Sequence, residues 1–170
     1  GLQVCQFGFD LERGDEIVTT THDYPRMITT WKQRERRDGI VLKQFPLPIP
    51  VEDDEVVVRL FAEQITPKTR LIHISHIVFM TGQILPVRKV VDMARERGIP
   101  VIVDGAHAFA HFTFTRDELG CDYYATSLHK WLCTPLGAGL LHIKKDKIKT
   151  VWPLFGDTTR ADDDIRKLER

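Results

Sequence analysis

Two residues at the ends of two apolar runs carry the first chemical signal. The run Ile99-Pro100-Val101-Ile102-Val103 ends in Asp104-Gly105-Ala106-His107, and the run from Tyr123 ends in Ser127-Leu128-His129-Lys130-Trp131. A lysine amine condenses with an aldehyde, and a carboxylate holds a pyridine nitrogen protonated. Pyridoxal phosphate chemistry needs that pair, because the protonated ring takes up the electrons released when a bond to an amino-acid Cα breaks. Taken singly, each residue has a plainer use. Asp104 serves equally well as a turn or cap residue, and a lone lysine is usually solvated. The spacing permits the two to meet and does not require it.

The elements that must position them alternate. Glu16 to Thr21 is short and β-branched, a strand introduced by the Arg13-Gly14-Asp15 turn. Pro25 suits the first position of a helix running to about Asp38, with Gly39 as its stop. Ile40 to Phe45 is a second strand, followed by an extended segment held open by Pro46, Pro48 and Pro50. Glu52 to Ile65 is helical, with Val56, Leu60 and Phe61 on its apolar face and acids at its start. Arg70 to Val78 is a strand, Pro86 to Arg97 an amphipathic helix closed by Gly98, and Ile99 to Val103 a strand apolar on both faces. Tyr123 to Ser127 and Ala138 to Ile143 complete the strands. The predicted class is α/β, a mostly parallel sheet with helices on both faces. In such sheets ligands bind beyond the carboxyl ends of the strands, where Asp104 and Lys130 lie.

Composition narrows the function classes. The chain of 170 residues is 42% hydrophobic and 28% charged, a globular balance. Its 24 basic and 24 acidic residues cancel, which removes the global electrostatic case for nucleic acid or an anionic membrane. No apolar run approaches the roughly 20 residues of a membrane span, and no export signal opens the chain. Cys5, Cys121 and Cys133 are odd in number and widely spaced. That argues against a disulfide framework and for a reducing, cytoplasmic setting.

The segments Val103-Asp104-Gly105-Ala106-His107-Ala108, Ser127-Leu128-His129-Lys130-Trp131-Leu132 and Pro135-Leu136-Gly137-Ala138-Gly139 resemble the class V aminotransferase family, a branch of the fold-type-I pyridoxal-phosphate enzymes. The likeness is greatest to the isopenicillin N epimerase-like group, with cysteine desulfurases and other carbon–sulfur lyases as cousins. It runs from about Leu11 to about Phe155. The resemblance implies pyridoxal 5′-phosphate as cofactor and an amino acid as substrate. It implies Lys130 as the Schiff-base lysine and Cα base, and Asp104 as the carboxylate on the pyridine nitrogen. His107 then stands beside the phenolic oxygen, and Ser127 and His129 hold the phosphate. In Thr21-His22-Asp23-Tyr24-Pro25 it implies Tyr24 as the residue stacked on the ring, with His22 second. Epimerisation, transamination and elimination all remain open.

Val78 and Phe79 depart from the family pattern, which usually offers a polar contact to the cofactor there, leaving His76 or Thr81 to supply it. The family also implies a homodimer. Residues 1–160 are then expected to be part of the large domain, and 161–170 the start of a linker or helix toward a C-terminal small domain outside this sequence. A rival reading is a metal site in which Asp104, His107 and His111 share one helical face. A second rival is a non-catalytic fragment of the same fold.

Overall fold

The computed structural model describes residues 1–157 and 159–169. The 1–160 and 161–170 divisions expected above each include one residue, Thr158 and Arg170, outside the described ones. Six strands form one sheet: β1 Glu16–Thr20, β2 Val41–Phe45, β3 Thr69–Ser75, β4 Val101–Asp104, β5 Tyr123–Ser127 and β6 Gly139–Ile143. Their order is β2-β1-β3-β4-β5-β6. The first five are parallel, and β6 returns antiparallel on β5. The mostly parallel α/β class therefore holds.

Helices cover both faces. α1 (Leu2–Gly8) and α2 (Pro25–Asp38) lie on one, and α3 (Asp54–Gln64) and α4 (Val87–Arg95) on the other. Alternation along the strands divides the core accordingly. Ile17, Leu71, Ile102 and Tyr123 pack with Cys5 and Trp31, while Val18, Ile72, Val103 and Tyr124 pack with Val57, Phe61, Val90 and Val91. Each such buried side chain contributes about 1.5–3 kcal/mol relative to exposure. α5 (Arg116–Leu119) is a single turn with a Thr115–Glu118 capping box. Among the described residues, no helix is long and apolar enough to cross a membrane.

Local signals act as their chemistry dictates. Pro25 opens α2, and Gly39 closes it in the left-handed region at φ 77°, which a glycine adopts without a Cβ penalty. Asp53 caps α3 by accepting from the Glu55 amide. Arg34 is buried, donates to the carbonyls of Gln6 and Phe9 and pairs with Asp38, fastening α1 to α2. Three expectations are corrected. On α3 the fully buried residues are Val57 and Phe61: Phe61 is as expected and Leu60 packs half-buried against the core, but Val57 takes the place expected of Val56. The helix expected over Pro86–Arg97 is shorter, Val87–Arg95. The strand expected to reach Val78 stops at Ser75, because the chain folds into a Val78–Gly82 turn and the His76 carbonyl receives the Leu85 amide.

Candidate active site

Register brings the strand ends level. Ser75 of β3 is paired with Asp104 of β4, and Asp104 with Ala125 of β5. At this rim a cavity of about 320 Å³ is lined by Tyr24, Met27, Asp104, Ala106, Thr126, Ser127, His129 and Lys130, with Gly1 and the first residues of α1, Leu2 and Gln3, closing one side. A larger hollow, about 530 Å³, lies at the opposite end of the strands, around Asp15, Arg70 and Pro100, away from every residue singled out above.

Asp104 is the floor. Its Oδ1 accepts from the Ala106 amide at 2.9 Å, and Oδ2 receives no protein donor among the described residues. Burial pushes its pKa up, against the Ala106 bond, the field of His73 and the charge of Lys130, which lower it. The next residue must be glycine. The Gly105 carbonyl accepts from Thr126 Oγ1 at 3.0 Å, and a Cβ at Gly105 would run into the Tyr124 ring. This close approach turns the chain immediately after the carboxylate.

Lys130 rises from the turn between β5 and β6, which is held by Leu128 N–H to the Ala138 carbonyl and Thr134 N–H to the Leu128 carbonyl. Its Nζ is 2.9 Å from His107 Nε2 and 5.5 Å from the centre of the Tyr24 ring. Burial lowers the Lys130 pKa while the Asp104 charge works against that. Burial, then the charges of Lys130 and His111, lower the His107 pKa. His129 has a buried Nδ1 with no partner, in a side chain that lines the cavity.

Tyr24 is the N-cap of α2 and one wall of the cavity, with Phe79 against its edge at 5.4 Å. Its loop is fixed by Asp23, to which the sequence alone assigns no role. Asp23 is 2% exposed. It accepts from Thr19 Oγ1, the Thr20 amide, Thr20 Oγ1 and, across the sheet, Ser75 Oγ. Two threonines running into an aspartate were the available signal; the Ser75 partner, 52 positions away, left none. His22, second to Tyr24 as a stacking residue, lies outside the cavity lining and accepts from the Leu47 amide instead.

Other expectations fail on geometry. Neither His76 nor Thr81 lines the cavity. His76 is buried against the edges of Phe112 and Phe114, and Thr81 Oγ1 accepts from the Gln83 amide. Burial lowers the His76 pKa to about 4. The metal reading loses its scaffold. The chain after Asp104 makes turns instead of a helix, and His111 stacks on Trp131 with ring centres 3.7 Å apart. Among the described residues no three His, Cys, Asp or Glu side chains gather to hold a metal ion. Cys133 is exposed.

The family model for class-V aminotransferases matches residues 3–165. The isopenicillin N epimerase of Amycolatopsis lactamdurans is 38% identical over 138 residues, 81% of this chain and 35% of its own length. A probable cysteine desulfurase of Halalkalibacterium halodurans is 33% identical over 86% of this chain and 36% of its own. Among solved structures, a C-DES mutant with glycine covalently linked to its PLP cofactor superposes with a TM-score of 0.85 at 27% identity, over 99% of this chain and 47% of its own. The chain thus spans about a third of the length of the curated relatives it matches.

Proposed function

Because the chain belongs to the class-V aminotransferase family, we propose that it forms the cofactor-binding core of a pyridoxal 5′-phosphate enzyme acting at the Cα of an amino acid. The observation that carries the proposal is the single cavity shared by Lys130, Asp104, Tyr24, Ser127 and His129. These residues fit the cofactor: a buried carboxylate with a free oxygen at the floor, an amine beside it, an aromatic wall and an unpartnered buried imidazole nitrogen. A volume of about 320 Å³ is in the range of small-molecule sites.

When bound, pyridoxal phosphate supplies an aldehyde for the substrate amine and a ring that accepts the Cα electron pair. Lys130 offers the amine that holds the aldehyde. Once released, it would be the base for the Cα proton, its charged form disfavoured by burial. Asp104 would hold the proton on the ring nitrogen, its cost of burial offset by that cation. Tyr24 would cover one ring face. Ser127 and His129 would hold the phosphate, and His107 would stand at the phenolic oxygen beside Lys130. The partners in this proposal are an amino-acid substrate and a second copy of the chain, in the cytoplasm.

Proton return to Cα, as in an epimerase, is our first reading, supported by the identity to isopenicillin N epimerases. Cysteine desulfuration is the second, supported by the likeness to desulfurases and C-DES. It needs a reactive thiolate. None of the three cysteines here lines the cavity, and burial pushes the thiols of Cys5 and Cys121 up to about 12 and about 11. The test is full-length protein with cofactor and amino acids in deuterated water. Deuterium entering Cα without sulfide release supports the first reading, sulfide from cysteine the second, and absence of cofactor uptake overturns both.

A further inference from the structure

Behind Asp104 lies a histidine that the proposed chemistry does not use. His73 is central in β3 and 1% exposed. Trp31 of α2 donates its indole N–H to His73 Nδ1 at 2.8 Å. An indole nitrogen only donates, so Nδ1 must accept and the proton of the neutral ring sits on Nε2. That Nε2–H is buried and has no partner. An unpaired buried donor costs about 1–3 kcal/mol, so its retention calls for a use.

Register identifies the neighbour. His73 is paired with Ile102, and Asp104 lies two residues further along the same strand. Side chains two apart share a face, so His73 and Asp104 are diagonal neighbours beneath α1 and α2. The charged groups facing Asp104 are Asp23, Lys130 and the Gly1 α-amino group. Ser75, directly paired with Asp104, is already committed to Asp23 and cannot serve it.

We propose that His73 is a positioning residue for Asp104: locked as the Nε2–H tautomer by Trp31, it serves the buried carboxylate as a neutral hydrogen-bond donor from the adjacent strand. One bound water suffices as the link. A neutral donor favours the ionised carboxylate without placing a second cation in the layer that must accept a protonated ring nitrogen. This inference rests on the reading of Asp104 as the group facing the ring.

The experiment uses the full chain without added cofactor, so a failure to bind cofactor does not decide it. Nitrogen-15 histidine NMR should report His73 solely as the Nε2–H tautomer. Carbon-13 titration of the Asp104 carboxyl should show it about threefold to tenfold weaker as an acid in His73→Leu. His73→Gln, which keeps an N–H, should restore most of the difference. Should His73→Leu fail to fold, Trp31→Phe leaves His73 in place and frees Nδ1. It should yield mixed tautomers and a smaller shift in the same direction. An Nδ1–H tautomer in the wild type, or an Asp104 titration unmoved in the variants that fold, overturns the proposal.

Discussion

Lys130 and His107 meet head to head, Nζ to Nε2 at 2.9 Å, although 23 positions separate them in the chain. The imidazole pKa is lowered, so above that value the ring is neutral and its Nε2 accepts from the ammonium. Removing the ammonium removes one of the causes and leaves burial and His111. In Lys130→Ala the His107 titration, followed by proton NMR, should move up without reaching the ordinary histidine value. A titration that does not move would separate the two groups.

Asp104 sets an unusual stability profile. Its native pKa is raised by burial, so its contribution is full below the ordinary carboxylate value of about 3.9 and is lost as pH rises through the native value. Asparagine stays neutral throughout. Without cofactor, Asp104→Asn should therefore match the wild type at low pH and melt higher at pH 7. With cofactor and substrate, the same variant should lose most Cα proton exchange.

Asp23 gathers four donors in a buried loop, and its removal strands them. Asp23→Ala should cost about 2–4 kcal/mol in denaturant unfolding. Asp23→Asn, which retains an acceptor oxygen, should cost about half as much. Both should weaken cofactor affinity by loosening Tyr24, whereas Tyr24→Phe should alter neither stability nor affinity by more than about 0.5 kcal/mol.

Gly105 has no room for a methyl group against the Tyr124 ring. Gly105→Ala should destabilise by about 1–3 kcal/mol through overpacking and shift the Asp104 backbone. Thermal melting measures the first effect, and the Asp104 carboxyl resonance the second.

Much of this was readable from residue order, for identifiable reasons. β5 runs over Tyr123–Ser127, as its short apolar run with a polar end implies, and Pro25 and Gly39 bracket α2 because both act locally. Asp104 and Lys130 stand out because both follow such runs, and parallel pairing then aligns the runs. The early end of β3 was hidden because a return contact, Leu85 to His76, decides it. The burial of Val57 in place of Val56 on α3 was hidden because the two are equally apolar and only packing against the sheet chooses between them. Asp23–Ser75 and Trp31–His73 are single hydrogen bonds between distant residues and produce no periodicity.

The most direct test of the account is chemical fixation. Full-length protein loaded with pyridoxal phosphate is reduced with borohydride, digested and mapped by mass spectrometry. The account predicts one phosphopyridoxyl group, on Lys130, absent from Lys130→Ala. A cofactor fixed to another lysine, or fixed equally well after that substitution, would contradict it.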